Sequence, residues 1–109
     1  MTIEEIIIML EETTNSLKDT LRKKSSDYTG GEGSKDPFAN FKATETLDVD
    51  PVIGVMIRIM DKIQRIRSFV YDGKLKVPNE SVYDAFDDII GYTILAKAMI
   101  QEKRGKNLN

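Results

Sequence analysis

Three positively charged residues recur along one stretch of the chain at the spacing of a helix. Arg58, Lys62 and Arg65 fall at positions i, i+4 and i+7, and Phe69 continues the same line at i+11. Cationic groups beside an aromatic ring suit a phosphate and a base. The pattern predicts a local anion site, with the alternative that these residues pair with acids on a neighbouring element.

Four acidic residues follow at similar spacing. Glu80, Asp84 and Asp87 lie at i, i+4 and i+7, with Asp88 adjacent. Like charges at this spacing repel by a few tenths of a kcal/mol per exposed pair, so something must offset them. The positive end of the helix dipole favours Glu80 at the helix N-terminus. Ion pairing with the basic line needs no further component and is the default expectation. The alternative is a Mg²⁺ ion held by these four carboxylates.

The stretch before the basic line is rich in Gly and Ser, yet it carries aromatic and polar side chains. Such a loop more often has a function than not. Aromatic rings stack on bases, and an Asn side chain forms hydrogen bonds with the polar edge of a base. It matches no known phosphate-binding fingerprint. The alternative is that its two Phe residues pin the loop to the core, and we favour this alternative for the second of them. The aromatic, polar and charged residues of this loop that we consider are Lys24, Asp27, Tyr28, Phe38, Asn40 and Phe41.

The composition excludes several chemistries. The chain has 109 residues and no Cys or His, so thiolate and imidazole catalysis, disulfides and zinc sites of the usual kind are ruled out. Residues 1–50 carry 6 basic against 11 acidic residues, and residues 51–109 carry 10 against 7. This balance argues against general duplex-DNA binding. No apolar run is long enough to span a bilayer, and we expect a cytoplasmic protein without a membrane anchor.

Local start and stop signals predict three helices in a single domain over residues 1–109. Thr2 and Glu5 form a capping box that begins a helix over 3–24. Asp50 followed by Pro51 begins a second helix over 51–72, which Gly73 ends. Asn79 is the predicted N-cap of a third helix over 80–103, followed by a frayed tail. With a loop over 25–50, the prediction is an all-α three-helix bundle with a long functional loop.

Helical periodicity predicts which residues are buried. The apolar seam of the first helix is Ile3, Ile7, Leu10, Thr14, Leu17 and Leu21. The predicted core of the second helix is Val52, Val55, Met56, Ile59, Ile63, Ile66 and Val70, and that of the third is Val82, Phe86, Ile89, Thr93, Ala96 and Ile100. Further apolar residues lie outside these stripes: Ile53, Ile57, Met60, Leu95, Ala98 and Met99. We expect them to pack against another chain in a homo-oligomer, unless the long loop covers them.

Four short motifs in order resemble the phage-associated family called nucleotide modification associated domain 1. They are Lys24-Ser25-x-Asp27-Tyr28, Asp36-Pro37-Phe-x-Asn40-Phe41, Asp61-Lys62-x-x-Arg65, and Glu80-Ser81-x-x-Asp84 with Asp88 and Gly91-Tyr92. The resemblance covers about residues 20–97. It implies a small all-α protein of phages and prophages, hence of the host cytoplasm, linked by gene neighbourhood to nucleotide metabolism or DNA modification.

The helical layout is also similar to all-α nucleoside triphosphate pyrophosphohydrolases of the MazG type, which hold Mg²⁺ with ExxE and ExxD pairs. At the corresponding place the second helix has Arg58, Asp61, Lys62 and Arg65, and the third lacks ExxD spacing. Basic residues in place of carboxylates favour binding a phosphate over binding Mg²⁺.

The leading hypothesis is a nucleotide-binding protein that sequesters or presents its ligand without chemistry. Its predicted binding residues are Lys24, Asp27, Tyr28, Phe38, Asn40, Arg58, Lys62, Arg65, Asp84, Asp88 and Tyr92. The first alternative is a Mg²⁺-dependent nucleotide pyrophosphohydrolase using Glu80, Asp84, Asp87 and Asp88, or an accessory factor in phage nucleotide or DNA modification. The second alternative is a protein interaction module.

Overall fold

A computed structural model of the chain describes residues 1–23, 39–74 and 81–105, and within these ranges it contains helices and no strand. Three long helices, α1 (Ile3–Lys23), α2 (Pro51–Asp72) and α3 (Val82–Lys103), make up most of it. The predicted all-α three-helix fold is confirmed. Across the described ranges, no helix has the length and apolar character needed to cross a membrane.

Helices α1 and α2 begin where their capping residues predict. The backbone N–H of Glu5 donates to Thr2 Oγ1 at 3.1 Å, and the N–H of Thr2 donates to Glu5 Oε2 at 2.9 Å. The N–H of Val52 donates to Asp50 Oδ1 at 2.8 Å, with Pro51 at the first helical position. Gly73 ends α2 with φ of 75°, a left-handed conformation that glycine adopts without strain.

Helix α3 begins two residues later than predicted. Its N-cap is Ser81, so the expectation of Asn79 as the cap is wrong. The N–H of Tyr83 donates to Ser81 Oγ at 3.1 Å, and the N–H of Ser81 donates to Asp84 Oδ2 at 3.4 Å. The reciprocal capping box satisfies two backbone donors, which a lone Asn cap does not.

The predicted loop over 25–50 is wrong for residues 39–47, which form a short helical segment. An α-helical turn over Ala39–Lys42 continues as a 3-10 helix over Ala43–Leu47. The segment is held by Phe41, which is 2% exposed, and by Thr44, whose hydroxyl lies 2.8 and 3.0 Å from the carbonyl oxygens of Phe41 and Val49. Tertiary burial therefore outweighs the loop-like composition.

The core lies where α2, α3 and the short helical segment meet. Its buried cluster is Phe41, Val55, Leu95 and Met99, against which Leu21 of α1 and Tyr92 of α3 also pack. Gly54 lets the short helical segment approach α2 closely, because an added Cβ would lie 3.2 Å from Thr44 Cγ2. Phe41 is thus pinned to the core, as favoured from the sequence.

The buried faces of the helices differ in part from the predicted ones. On α2, Val55 is buried, but Met56, Ile63 and Val70 are 51%, 42% and 70% exposed. On α3 the face is turned by about a quarter of a turn. Phe86, Thr93 and Ile100 are exposed, whereas Leu95 and Met99 are buried. The expectation that Leu95 and Met99 pack against another chain is therefore wrong, because the core of this chain covers them. Phe41 and Leu21 pack on that side of α3, which the periodicity of α3 alone does not reveal.

Helix α1 has no buried residue, and its predicted seam is confirmed only toward its end. Leu17 and Leu21 are half-buried and share a cleft with Gly91 and Tyr92 of α3. Ile3, Ile7 and Leu10 are 68%, 40% and 61% exposed, which contradicts their predicted burial within this chain.

Candidate functional site

The basic line of α2, defined as Arg58, Lys62 and Arg65, borders the core as predicted. The side chains of Lys62 and Arg65 are only 17% and 28% exposed. Arg58 remains exposed, with its Cζ 4.9 Å from the centre of the Phe41 ring. Partial burial lowers the local dielectric around Lys62 and Arg65, so these two cations interact more strongly with an anion than fully solvated ones would.

Lys62 joins the basic line to the acids of α3. Its Nζ lies 3.1 Å from Asp88 Oδ2. This contact confirms, for these two residues, the default expectation that the two charged lines pair between the helices. Lys62 is largely buried, but the side chain of Asp88 is 44% exposed, so solvent screens the pair and its contribution is of the order of a surface ion pair, typically below about 1 kcal/mol.

Arg65 pairs within its own helix, one turn away. One of its terminal nitrogens lies 3.3 Å from Asp61 Oδ2. Sequence reasoning treated Asp61 only as part of a motif and missed this pairing, although the i, i+4 spacing of an acid before a base is a recognised signal for it.

Arg58 makes a cation–π contact with Phe41, with its Cζ 4.9 Å from the ring centre. Such a contact helps to hold the guanidinium group in place, and a guanidinium carries five N–H donors suited to phosphate oxygens.

The acids of α3 have separate roles within the fold. Asp84 accepts a hydrogen bond in the capping box, and Asp88 pairs with Lys62. The pKa of Asp87 is raised above its ordinary value of 3.8, first by desolvation and then by the negative charges of Asp84 and Asp88. A carboxylate whose pKa is raised by folding destabilises the folded state when it is ionised.

We expect Asp87→Asn to stabilise the protein by a few tenths of a kcal/mol at neutral pH, because it removes a partly desolvated carboxylate and its repulsion with Asp84 and Asp88. The pKa of Asp87 is higher in the folded chain than its ordinary value of 3.8. The stabilisation by Asp87→Asn therefore decreases as the pH falls through the folded-state pKa toward 3.8, because the carboxylate becomes protonated. Urea unfolding across this pH range measures it. The control Glu11→Gln also removes one carboxylate, from an exposed position of α1. An equal, pH-independent gain in both variants would contradict the explanation.

The Mg²⁺ alternative draws on one residue that lies outside the described ranges, Glu80. Among the residues that the structure describes, no three or more carboxylates are grouped so that they could hold a metal ion. Asp84 and Asp88 each contact a protein partner instead. The described members of the predicted set therefore do not form a metal site by themselves.

The remaining predicted residues divide into two groups. Tyr92 packs against the core and lines a cleft of about 30 Å³ with Leu17 and Asp88, large enough for water but not for a nucleobase. The others lie in the segment before Phe41. Lys24, Asp27, Tyr28 and Phe38 are outside the described residues, as is the side chain of Asn40, whose backbone is in the short helical segment.

Phe41, the first described side chain after this segment, contacts Arg58 of the basic line. Leu21 of α1 packs against the core cluster that contains Phe41.

A cavity of about 260 Å³ lies where the short helical segment meets the start of α2 and the end of α3, and no predicted site residue that the structure describes lines it. Val52 and Met99 contribute apolar surface to it. Four of its five charged residues form two ion pairs, Lys42 with Glu102 at 3.2 Å and Lys103 with Asp50 at 3.6 Å. Sequence reasoning missed this cavity, because these ion pairs join residues far apart in the chain.

Comparison with known proteins gives one family. Residues 52–101 match the family model of nucleotide modification associated domain 1, which is a little under half of the chain. The resemblance drawn from the motifs is confirmed over this segment, which contains the basic line, Asp84, Asp88 and Tyr92. The motifs before residue 52 lie outside the match. No curated protein and no solved structure matches the chain significantly.

Proposed function

We propose that this protein binds a phosphorylated nucleotide along the basic line of α2 and holds it without chemistry. The observation that carries the proposal is the half-buried set of Lys62 and Arg65, with Arg58 on the same flank, inside the segment that matches the nucleotide-associated family. Cations bordering a core bind phosphate oxygens more strongly than cations on a solvated surface.

The length of the line favours a ligand with more than one phosphate. At 1.5 Å per residue, Arg58 and Arg65 are about 10 Å apart along the helix axis, and Phe69 follows about 6 Å further on. Phe69 is 38% exposed and offers a ring to a base. A nucleoside polyphosphate or a dinucleotide spans these distances, whereas a single phosphate reaches only one or two of the cations.

Binding is favoured over hydrolysis by the charges that the helices present. Helix α2 offers Arg58, Lys62 and Arg65 where a Mg²⁺-dependent pyrophosphohydrolase places acids. On α3, Asp88 is engaged by Lys62 rather than directed at a common point with Asp84. Such a protein would sequester a nucleotide or present it to a modifying enzyme.

Thermal unfolding with a nucleotide panel tests the proposal. The panel contains nucleosides, nucleoside monophosphates and triphosphates, and linear and cyclic dinucleotides, each with and without Mg²⁺. We expect the midpoint to rise with the logarithm of ligand concentration for at least one polyphosphate or dinucleotide, and to be unchanged by nucleosides.

Product analysis of the same samples distinguishes the alternatives. Intact ligand after incubation supports the binding proposal. Turnover that requires Mg²⁺ and is lost in Asp84→Ala would contradict it in favour of an enzyme. If no phosphorylated nucleotide changes the unfolding midpoint, the proposal fails and the interaction-module alternative takes its place.

A further inference from the structure

Two helical surfaces expose large apolar side chains in the same pattern. The α1 ridge consists of Ile3, Ile6, Ile7 and Leu10, which are 68%, 46%, 40% and 61% exposed. The α2 face consists of Ile53, Met56, Ile57 and Met60, which are 50%, 51%, 60% and 54% exposed. Both sets follow the spacing i, i+3, i+4, i+7, which gathers them into a single stripe on each helix.

The exposed area is what a stable dimer requires. With roughly 190 Å² for a fully exposed large apolar side chain, each surface presents on the order of 400 Å². Together they supply about 800 Å² per chain, the usual contribution of each partner to a specific interface. The described residues bury only six hydrophobic side chains, among them Phe41 and Val55. The fold therefore has much to gain from covering these surfaces.

We propose that a second copy of this chain covers both surfaces, with the α1 ridge of one copy packed on the α2 face of the other. The two stripes have equal length, about 11 Å along each helix axis. A two-fold axis permits this arrangement, because the α1 ridge of each copy then packs on the α2 face of its partner. This inference does not depend on nucleotide binding.

Site-specific disulfide formation tests which helices meet. The natural chain has no Cys, so Ile7→Cys and Ile57→Cys place single thiols at the centre of the ridge and of the face. The two variants are co-expressed with tags of different mass and oxidised with glutathione disulfide. We expect the mixed disulfide between the variants to dominate. The control is Asn15→Cys with Ile57→Cys, because Asn15 lies on the other side of α1, and it should give little product.

A second measurement avoids thiol chemistry. Light scattering should give the natural chain a mass of at least two copies, and Ile57→Asp should reduce it to one copy while circular dichroism retains the helical signal. Ile57 is 60% exposed, so the charge disturbs no core packing. A single-copy mass for the natural chain, or a dominant disulfide between two Ile7→Cys chains, would overturn the proposal.

Discussion

Arg65→Ala should weaken binding of the phosphorylated ligand by about 2 kcal/mol, a loss of roughly 30-fold in affinity. The arginine side chain is 28% exposed and is already oriented by Asp61 at 3.3 Å. A guanidinium fixed in this way binds a phosphate through two parallel hydrogen bonds and loses little conformational entropy in doing so. Isothermal titration calorimetry with the best ligand of the panel measures the change.

Arg67→Ala is the matched control for this prediction. It removes the same charge from the same helix, but Arg67 is exposed and stacks on Tyr71, with its Cζ 5.3 Å from the ring centre. We expect its affinity to stay within about twofold of the natural protein's, because an exposed charge at a distance is screened. Equal losses in both variants would show a general charge effect. Unchanged affinity in Arg65→Ala would remove the basic line from the site.

Phe41→Ala should reduce the free energy of unfolding by about 3 to 4 kcal/mol, the usual cost of truncating a buried aromatic side chain. Phe41 is 2% exposed and belongs to the buried cluster with Val55, Leu95 and Met99. Because a domain of this size is stabilised by only about 5 to 15 kcal/mol, this is a large share. The same substitution also removes the ring on which Arg58 rests.

Urea unfolding followed by circular dichroism measures this loss at a fixed protein concentration. Leu47→Ala is the control from the same short helical segment. Leu47 is 77% exposed, so its truncation should change stability by less than about 0.5 kcal/mol. If Phe41→Ala unfolded at the same urea concentration as the natural protein, the segment would not be anchored to the core as described.

The features that the sequence predicts well are those decided by neighbouring residues. The capping box of Thr2 with Glu5, the Asp50-Pro51 start and the Gly73 end all rest on contacts within a few positions, and each is present. The pairing of Lys62 with Asp88 was also predictable, because two oppositely charged lines at the same spacing face each other when their helices are adjacent.

The features that the sequence did not predict depend on contacts between distant residues. Residues 39–47 are helical because Phe41 reaches the core and Thr44 fits against Gly54, although their composition is that of a loop. Leu95 and Met99 of α3 are buried against Phe41 and Val55, which lie on other elements, and the periodicity of α3 alone did not place them inside. The same limit applies to the 260 Å³ cavity, whose walls come from three elements.

Binding of a phosphorylated nucleotide by the basic line can be measured on the natural protein. Native mass spectrometry of the protein after incubation with a nucleotide-rich cell extract tests it most directly, because it reports the mass of the ligand and the number of chains together. We expect a retained mass that fits an intact phosphorylated nucleotide, present in Arg67→Ala and lost when Lys62→Ala and Arg65→Ala are combined. If the natural protein emerges from the extract at its bare mass, with no nucleotide bound, nucleotide binding by the basic line is contradicted.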